Sequence, residues 1–196
     1  MRSRPACTAA AILLVSCTSG RNEPVGVDRS ARDELRPYVR GCDETVWGRL
    51  ERGFRAESTV VGPLTFVRIP RLATARKEIQ GVIRPGPEVF STKVLVTLKK
   101  DHRALVEIPE HVGDRLRLWF DPKRWDQRGR IPVTKGQSAV EFVACRKGEG
   151  GPGATQFNGG LLIGEVGCYP LDVSIDGGDA VRRIVSLGAG RCSERA

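Results

Sequence analysis

The sequence predicts an all-β fold, an antiparallel β-sandwich that is immunoglobulin-like in its broad architecture, preceded by a short irregular or helical N-terminal arm. Three observations support this prediction. From residue 58 onward, short segments alternate apolar and polar residues, which is typical of strands with one buried face. Gly, Pro and Asp separate these segments, and helical periodicity is rare among them. The 196 residues are ample for one domain of this kind.

The beginning of the chain, residues 1–16, is predicted to be a lipoprotein signal peptide. Two arginines precede the apolar stretch 6–15, which is far shorter than the roughly 20 residues that span a bilayer. The stretch ends in Leu14-Val15-Ser16-Cys17, which resembles the lipobox of bacterial lipoproteins. On that resemblance, the signal is cut just before Cys17 and the Cys17 thiol carries a lipid anchor. The alternative is an ordinary signal peptide cut nearby, with Cys17 incidental.

The rest of the chain divides into a tether, an arm and one domain. Residues 17–30 are polar and contain Gly, Pro and Asn, which favours a flexible tether. Residues 31–57 are a charged arm, in which Val46–Leu50 could form a short amphipathic helix although Gly48 disfavours it. Residues 58–196 are the predicted sandwich domain.

The strands of that domain are predicted from their alternation and from the turns between them. We expect strands at Ser58–Val61, Leu64–Ile69, Lys93–Lys99, Ala104–Ile108, Arg115–Phe120, Val140–Ala144, Leu161–Ile163, Leu171–Ile175 and Val181–Leu187. The clearest alternation places Leu116, Leu118 and Phe120 toward the core. Asp176–Asp179 predicts a hairpin turn, and Asn158–Gly160 predicts a turn or bulge that enters the next strand.

Six cysteines are present, and four of them are expected to form two disulfides. Cys7 is lost with the signal peptide and Cys17 carries the lipid, which leaves an even number in an oxidising compartment. The four are Cys42, Cys145, Cys168 and Cys192. They allow three pairings. We favour Cys145–Cys168, which closes a modest loop around a Gly-rich segment, with Cys42–Cys192, which fastens the arm to the end of the chain.

Neither a metal site nor a cofactor site is expected. Zinc-binding cysteines usually come in close pairs, whereas these four are widely spaced and have no histidine near them. The glycine-rich segment 148–153 is not followed by the Lys-Ser/Thr pair of a phosphate-binding loop. His102 and His111 are the only histidines, and both are predicted in exposed loops. The sequence therefore offers no catalytic residue.

The chain is basic, with a formal net charge of +9 and 25 arginines against 7 lysines. Such a charge could favour anionic envelope polymers, anionic lipid headgroups or nucleic acid. The arginines are scattered and form no basic arm, so a nucleic-acid partner is not expected. A high-GC genome would also enrich arginine over lysine, and this explanation stays open beside the functional one.

An ordered set of motifs resembles a group of secreted or lipid-anchored actinobacterial proteins of uncharacterised function. The motifs are Gly62–Val67, Lys93–Val96, Leu118–Pro122, Val140–Cys145, Thr155–Gly160, Gly167–Val173 and Gly188–Cys192. The resemblance covers residues 58–192 and lies in the order of the motifs. It implies an all-β domain in which the last three cysteines are structural, and it implies no activity and no active-site residues.

The best candidate ligand surface on sequence grounds consists of Asp121, Trp125 and Asp126, in the segment that follows a predicted strand. An exposed indole beside polar groups is typical of sugar-binding surfaces, because the ring packs against the C–H groups of a pyranose. The alternative is that Trp125 folds over the end of the sandwich.

Together these features predict a lipid-anchored or secreted cell-envelope protein that is a non-catalytic binding or structural module. The expected partners are the membrane, through the lipid on Cys17, and an anionic cell-wall polymer, a glycan or an envelope protein. The alternative is an envelope hydrolase, for which Asp121 and Asp126 are the first carboxylates to test.

Overall fold

The computed structural model describes residues 36–50, 53–76, 90–124, 131–151 and 153–193, and over these ranges the protein is all-β. Ten strands form two five-stranded sheets. The strands are β1 (Tyr38–Arg40), β2 (Thr59–Val61), β3 (Leu64–Val67), β4 (Phe90–Leu98), β5 (Arg103–Glu107), β6 (Leu116–Trp119), β7 (Ala139–Val143), β8 (Thr155–Ile163), β9 (Gly167–Ile175) and β10 (Val181–Leu187). The first sheet has the order β1-β7-β5-β9-β10, and the second has the order β2-β3-β4-β8-β6.

The inward faces of the two sheets share one hydrophobic core, which confirms the predicted sandwich. Phe142 on β7 of the first sheet meets Phe120 and Phe157 of the second, with ring centroids 5.0 and 5.2 Å apart. Leu116, Leu118 and Phe120 are all 0% exposed, as their alternation predicts. Burying an aromatic or branched side chain of this kind stabilises the fold by about 1.5–3 kcal/mol.

One strand pair departs from the antiparallel prediction. β1 pairs in parallel with β7, in a register that matches Tyr38 with Val140 and Arg40 with Phe142. The N-terminal arm therefore contributes an edge strand to the first sheet. Local alternation could not reveal this, because the two strands lie about a hundred residues apart in the chain and β1 is only three residues long.

The predicted turn or bulge at Asn158–Gly160 is wrong, because these residues lie inside the nine-residue strand β8. Their glycines are there for close packing. An ideal Cβ on Gly159 would lie 2.0 Å from the Phe120 ring, and one on Gly160 would lie 2.2 Å from the backbone oxygen of Thr92. Two glycines in a row predict a turn when they are read locally. Here they let a core ring and a neighbouring strand approach β8.

Two disulfides are present, as predicted, but the favoured pairing is wrong. The bonds join Cys42 to Cys145 and Cys168 to Cys192. The parallel pairing of β1 with β7 explains the first, since Cys42 and Cys145 each lie two residues past the end of their strand. The second follows from the hairpin of β9 and β10, whose register returns the end of β10 to the start of β9. The predicted turn over Asp176–Asp179 connects these two strands.

The described part of the arm crosses from the first sheet to the second. After β1 and a 3₁₀ turn at Cys42–Glu44, the backbone N–H of Val46 donates to the oxygen of Gln156 on β8 at 2.9 Å. Val46–Leu50 is irregular, so the helical alternative for this stretch is not realised. A second 3₁₀ turn, Phe54–Glu57, leads into β2. No helix of the described ranges is both long and apolar enough to cross a bilayer.

Candidate functional site

The outer face of the second sheet is organised in rows of side chains that cross its strands. Alternation along β4 puts Val94 and Val96 in the core, so Lys93, Leu95 and Thr97 point outward. The residues in register on the neighbouring strands extend each outward position into a row. The three rows are Thr65–Thr97–Gln156, Val67–Leu95–Asn158 and Lys93–Gly160–Trp119.

The first of these rows is covered, and the arm contributes to the cover. Thr65 and Thr97 are 0% and 1% exposed although they point away from the core. The side-chain Nε2 of Gln156 donates to the backbone oxygen of Gly48 at 2.7 Å. This bond holds the arm against the sheet, next to the isolated antiparallel bridge between Val46 and Gln156. The arm therefore forms one boundary of the open part of this face.

The opposite boundary is the segment that carries the 3₁₀ turn Val133–Lys135. The next row of the sheet contains Leu162 and Arg117, which are in register. An ideal Cβ on Gly136 would lie 2.4 Å from the Cβ of Arg117 and 3.3 Å from a methyl group of Leu162. The segment thus lies directly on this row, and Leu162 is buried beneath it. Two rows, those of Leu95 and Lys93, stay open between the boundaries.

These two open rows form the floor of a groove of about 840 Å³. Val67 and Leu95 supply apolar floor, and the amide of Asn158 is exposed beside them. Arg49, Leu50 and Phe54 line the groove from the arm. Trp119 lines it from the edge strand β6 and is 7% exposed, so its indole is firmly packed. A mostly apolar concavity with a few polar groups is typical of a ligand site.

The groove is basic. Arg49, Arg68 and Lys93 line it, and no carboxylate belongs to the described part of its lining. Neither Arg49 nor Lys93 forms an ion pair with a described residue. Cations that converge on a concave surface raise the local concentration of anions. The geometry therefore suits a ligand that carries negative charge.

The backbone of Arg68 is held in a conformation that L residues rarely adopt. Its φ of 61° and ψ of 15° lie in the left-handed region, which costs a residue of this kind about 1–2 kcal/mol. Its N–H donates to Oγ of Ser58 at 3.1 Å, and that hydroxyl donates to the oxygen of Phe54 at 2.6 Å. Backbone strain concentrates at functional sites. Here the bond from Arg68 to Ser58 connects the end of β3 to the turn Phe54–Glu57, which lines the groove.

A buried arginine anchors the arm. Arg40 is 1% exposed; its Nη1 donates to the backbone oxygen of Phe120, directly after β6 of the second sheet, and its Nη2 donates to that of Glu44 in the arm itself. Its Nε lies 3.2 Å from Oε2 of Glu44. Burial lowers the pKa of Arg40, and the Glu44 carboxylate opposes that shift. The Cys42–Cys145 disulfide lies two residues further along the arm.

Trp47 adds a second attachment for the arm. An ideal Cβ on Gly150 would lie 2.3 Å from the Trp47 ring, and one on Gly151 would lie 2.6 Å from it. The indole therefore lies flat on this glycine-rich loop, although 46% of Trp47 is exposed. Only residues without a side chain allow this contact. The glycines of the loop thus have a packing role.

Of the predicted ligand surface, only Asp121 lies within the described residues. Asp121 is 8% exposed, and its Oδ1 accepts from the Tyr38 hydroxyl at 3.4 Å and from the Lys123 N–H at 3.0 Å. Burial, followed by the charges of Asp121 and Glu44, raises the pKa of Tyr38 to about 12. Asp121 does not line the groove. Trp125 and Asp126 lie outside the described residues.

The other residues singled out from the sequence lie in different places. Nδ1 of His102 lies 2.7 Å from Oδ2 of Asp176 at one end of the first sheet. His111 is exposed in the 3₁₀ turn Glu110–Val112. Cys17 lies outside the described residues. Within the described ranges, no group of three or more His, Cys, Asp and Glu side chains is placed to hold a metal.

Sequence reasoning missed the groove. Its lining comes from the arm and from four strands, and no local motif joins these segments. One signal was available, because the alternation that sends Leu118 and Phe120 inward also sends Trp119 outward. A tryptophan on the outward side of a strand, in a sequence with three tryptophans, marks a surface to be examined.

Comparisons with family models, curated proteins and solved structures find no match to this chain. The resemblance to actinobacterial envelope proteins thus stays a prediction from ordered motifs. The groove and the chemistry of its lining are the features of the described structure that indicate a function.

Proposed function

We propose that this chain is a cell-envelope protein, lipid-anchored through Cys17 or secreted, whose β-sandwich is a non-catalytic binding module with its ligand site in the groove. Two disulfides support export, because such bonds persist in oxidising compartments and are rare in the cytosol. The lipobox-like Leu14-Val15-Ser16-Cys17 supports a lipid anchor. The ligand is an anionic component of the envelope.

The observation that carries this proposal is the charge of the groove lining. Arg49 and Lys93 line one concavity whose described lining has no carboxylate. An anion in the groove meets positive potential close to low-dielectric protein, where each charge contact is stronger than in bulk water. The apolar floor at Val67 and Leu95 adds contact area for the uncharged part of the ligand.

A binding role also fits what the groove lacks among its described residues. A hydrolase needs an acid and a base close to the bond that it cleaves, and the described lining offers cations, amides and hydroxyls instead. The hydrolase alternative based on Asp121 and Asp126 stays a prediction. Asp126 lies outside the described residues, and Asp121 is bonded to Tyr38 and to the Lys123 backbone.

Co-sedimentation of the full chain, in detergent and with its disulfides intact, with purified bacterial cell-wall material tests the proposal. We expect binding that weakens between about 50 and 500 mM salt, because salt screens charge contacts. Lys93→Glu and Arg49→Glu should each reduce binding about tenfold or more, which corresponds to about 1.4 kcal/mol.

Lys99→Glu is the matched control, because Lys99 is exposed just past the end of the same strand and does not line the groove. It makes the same change of charge and should reduce binding far less. Equal losses for Lys93→Glu and Lys99→Glu would mean that net charge rather than the groove binds the wall. Absence of binding to the wall by the unaltered chain would reject an anionic wall ligand.

A further inference from the structure

We propose that the ligand of the groove is a chain of uronic acid sugars, that is, a glycan whose rings carry carboxylates. The inference rests on the proposed function, since it assigns a chemical class to the ligand of the same site. It is drawn from the row Lys93–Gly160–Trp119, from the neighbouring amide of Asn158 and from the cations of the walls.

The row through Gly160 leaves a flat opening between a cation and an indole. Gly160 pairs with Lys93 on one side and with Trp119 on the other. Neighbouring strands lie about 4.8 Å apart, which places the Lys93 and Trp119 backbones about 10 Å apart. A side chain at Gly160 is excluded because its Cβ would lie 2.2 Å from the Thr92 oxygen. The middle of the row therefore stays open on the outward face.

The floor beside this opening has groups that complement both kinds of surface on a sugar ring. A pyranose has apolar C–H faces and polar hydroxyls at its edge. Leu95 and Val67, both partly exposed, offer apolar surface to the face of the ring. The exposed Asn158 amide, whose side chain forms no hydrogen bond within the described residues, offers both a donor and an acceptor to hydroxyls.

Two cations of the groove lining, Lys93 and Arg49, can pair with the carboxylates of such sugars. Lys93 rises from the floor row, and Arg49 comes from the arm on the other side of the groove. Charge-assisted hydrogen bonds of this type are about twice as strong as neutral ones. A neutral sugar chain would leave both cations without an anion. The charge of the lining thus selects an acidic glycan over a neutral one.

The floor also argues against a lipid tail. An acyl chain needs a continuous apolar surface that is screened from water. Here the open rows are interrupted by the amide of Asn158 and the ammonium group of Lys93. A short peptide of acidic residues would satisfy the cations but would present no flat apolar ring to Leu95 and Val67.

Calorimetric titration of the oxidised full chain in detergent tests the inference with four probes. Tetragalacturonate and a hyaluronan tetrasaccharide present carboxylates on sugar rings. The methyl ester of tetragalacturonate keeps the rings and removes the charge, whereas hexaglutamate keeps the charge and removes the rings. We expect one or both acidic sugars to bind, with the ester and hexaglutamate about tenfold weaker or more.

Variants locate that binding. Lys93→Gln should weaken the acidic sugar about tenfold and leave the affinity for the ester unchanged, since only the charge contact is lost. Asn158→Ala should weaken both sugars severalfold and leave hexaglutamate unchanged. Lys99→Gln is the control and should change none of them. Because these side chains are exposed, the melting temperatures should stay within a few degrees of the unaltered chain.

Several results would overturn the inference while leaving the proposed function intact. Equal affinity for hexaglutamate and the acidic sugars would assign the groove to charge alone. Competition of tetragalacturonate binding by phosphatidylglycerol vesicles in a detergent-free sample, with the vesicles bound more tightly, would assign it to a lipid headgroup. Wall binding that depends on Lys93, combined with no affinity for either acidic sugar, would also reject uronic acids. If the unaltered chain shows no binding that depends on Lys93, either to a probe or to the wall, both proposals are rejected.

Discussion

The outer faces of the two sheets differ in whether their cations are paired with carboxylates. On the first sheet, Nη2 of Arg103 lies 2.8 Å from Oε1 of Glu141. Arg182 holds both oxygens of Asp172 at 2.8 and 2.9 Å. On the second sheet, Arg49 and Lys93 face a groove whose described lining has no carboxylate. The first face pairs Arg103 and Arg182 with carboxylates, whereas the groove presents Arg49 and Lys93 without a charged partner among the described residues.

The difference shows that a depression alone does not identify a ligand site. The first sheet also carries a concavity, of about 610 Å³, lined by Arg103, Glu141 and Asp176. Its cation and carboxylates already have partners within the protein. Exposed ion pairs add only about 0–1 kcal/mol to stability, so their main effect is to cancel charge. In the groove of the second sheet, Arg49 and Lys93 have no charged partner among the described residues.

The largest effect is expected when the arm is released. Replacing both Cys42 and Cys145 with Ser should lower the free energy of unfolding by about 3–5 kcal/mol, because that disulfide closes the longer loop and restrains the unfolded chain more. Its sequence separation is 103, against 24 for Cys168–Cys192. Guanidinium unfolding monitored by circular dichroism would measure the change.

The second disulfide provides the control for this variant. Replacing Cys168 and Cys192 with Ser should cost about 1 kcal/mol less. It should also leave wall binding unchanged at temperatures where both variants are folded, whereas the arm variant should bind more weakly. If loss of the Cys168–Cys192 bond weakens binding as much, the arm does not form the wall that we assign to it.

The same contrast explains which parts of the structure were predictable. Inward and outward alternation is a local property, so Leu116, Leu118 and Phe120 were placed correctly on the core side. The participation of four cysteines also followed from counting. The disulfide pairing could not be predicted in this way, because it depends on the parallel contact of β1 with β7. The three residues of β1 contain no pattern that identifies β7 as their partner.

The groove was hidden for the same reason. Its floor exists only after Lys93, Gly160 and Trp119 are brought into one row by the registers of three strands. Read along the chain, Asn158–Gly160 predicts a turn, and its role appears only when Phe120 and Thr92 are seen packed against it. The predicted surface around Asp121 was chosen for adjacency in sequence, whereas the groove is assembled from distant segments.

Unpairing the cations of the first face sharpens the comparison with a smaller effect. The double variant Glu141→Gln with Asp172→Asn removes the charged partners of Arg103 and Arg182. We expect the free energy of unfolding to fall by less than about 1 kcal/mol, as for exposed pairs in general. We also expect no new wall binding, because the concavity of this face keeps the carboxylates of Asp101 and Asp176 in its lining.

Sedimentation of the double variant in the Lys93→Glu background, which removes the contribution of the groove, is the measurement. Strong wall binding restored by unpaired arginines on the first face would show that the cations suffice without the groove. The comparison would then reduce to charge alone, and the floor of the second sheet would lose its assigned role.

The smallest effect on stability is expected from a substitution of Asp176, whose carboxylate bonds to other groups of the first face. The Arg103 N–H donates to Oδ1 at 2.8 Å, and this bond, followed by the contact with His102, lowers the pKa of Asp176 below its ordinary 3.8. A lowered pKa contributes stability above pH 3.8 that is lost as the pH falls through the folded-state pKa. Asp176 has a φ of 52°, in the left-handed region, and asparagine tolerates this backbone while keeping an acceptor oxygen. Asp176→Asn should therefore destabilise the protein by at most about 0.5 kcal/mol at pH 7.

The difference in stability between this variant and the unaltered chain should shrink toward zero in acid unfolding curves. A difference that persists at pH values well below 3.8 would show that the charge of Asp176 has no part in it.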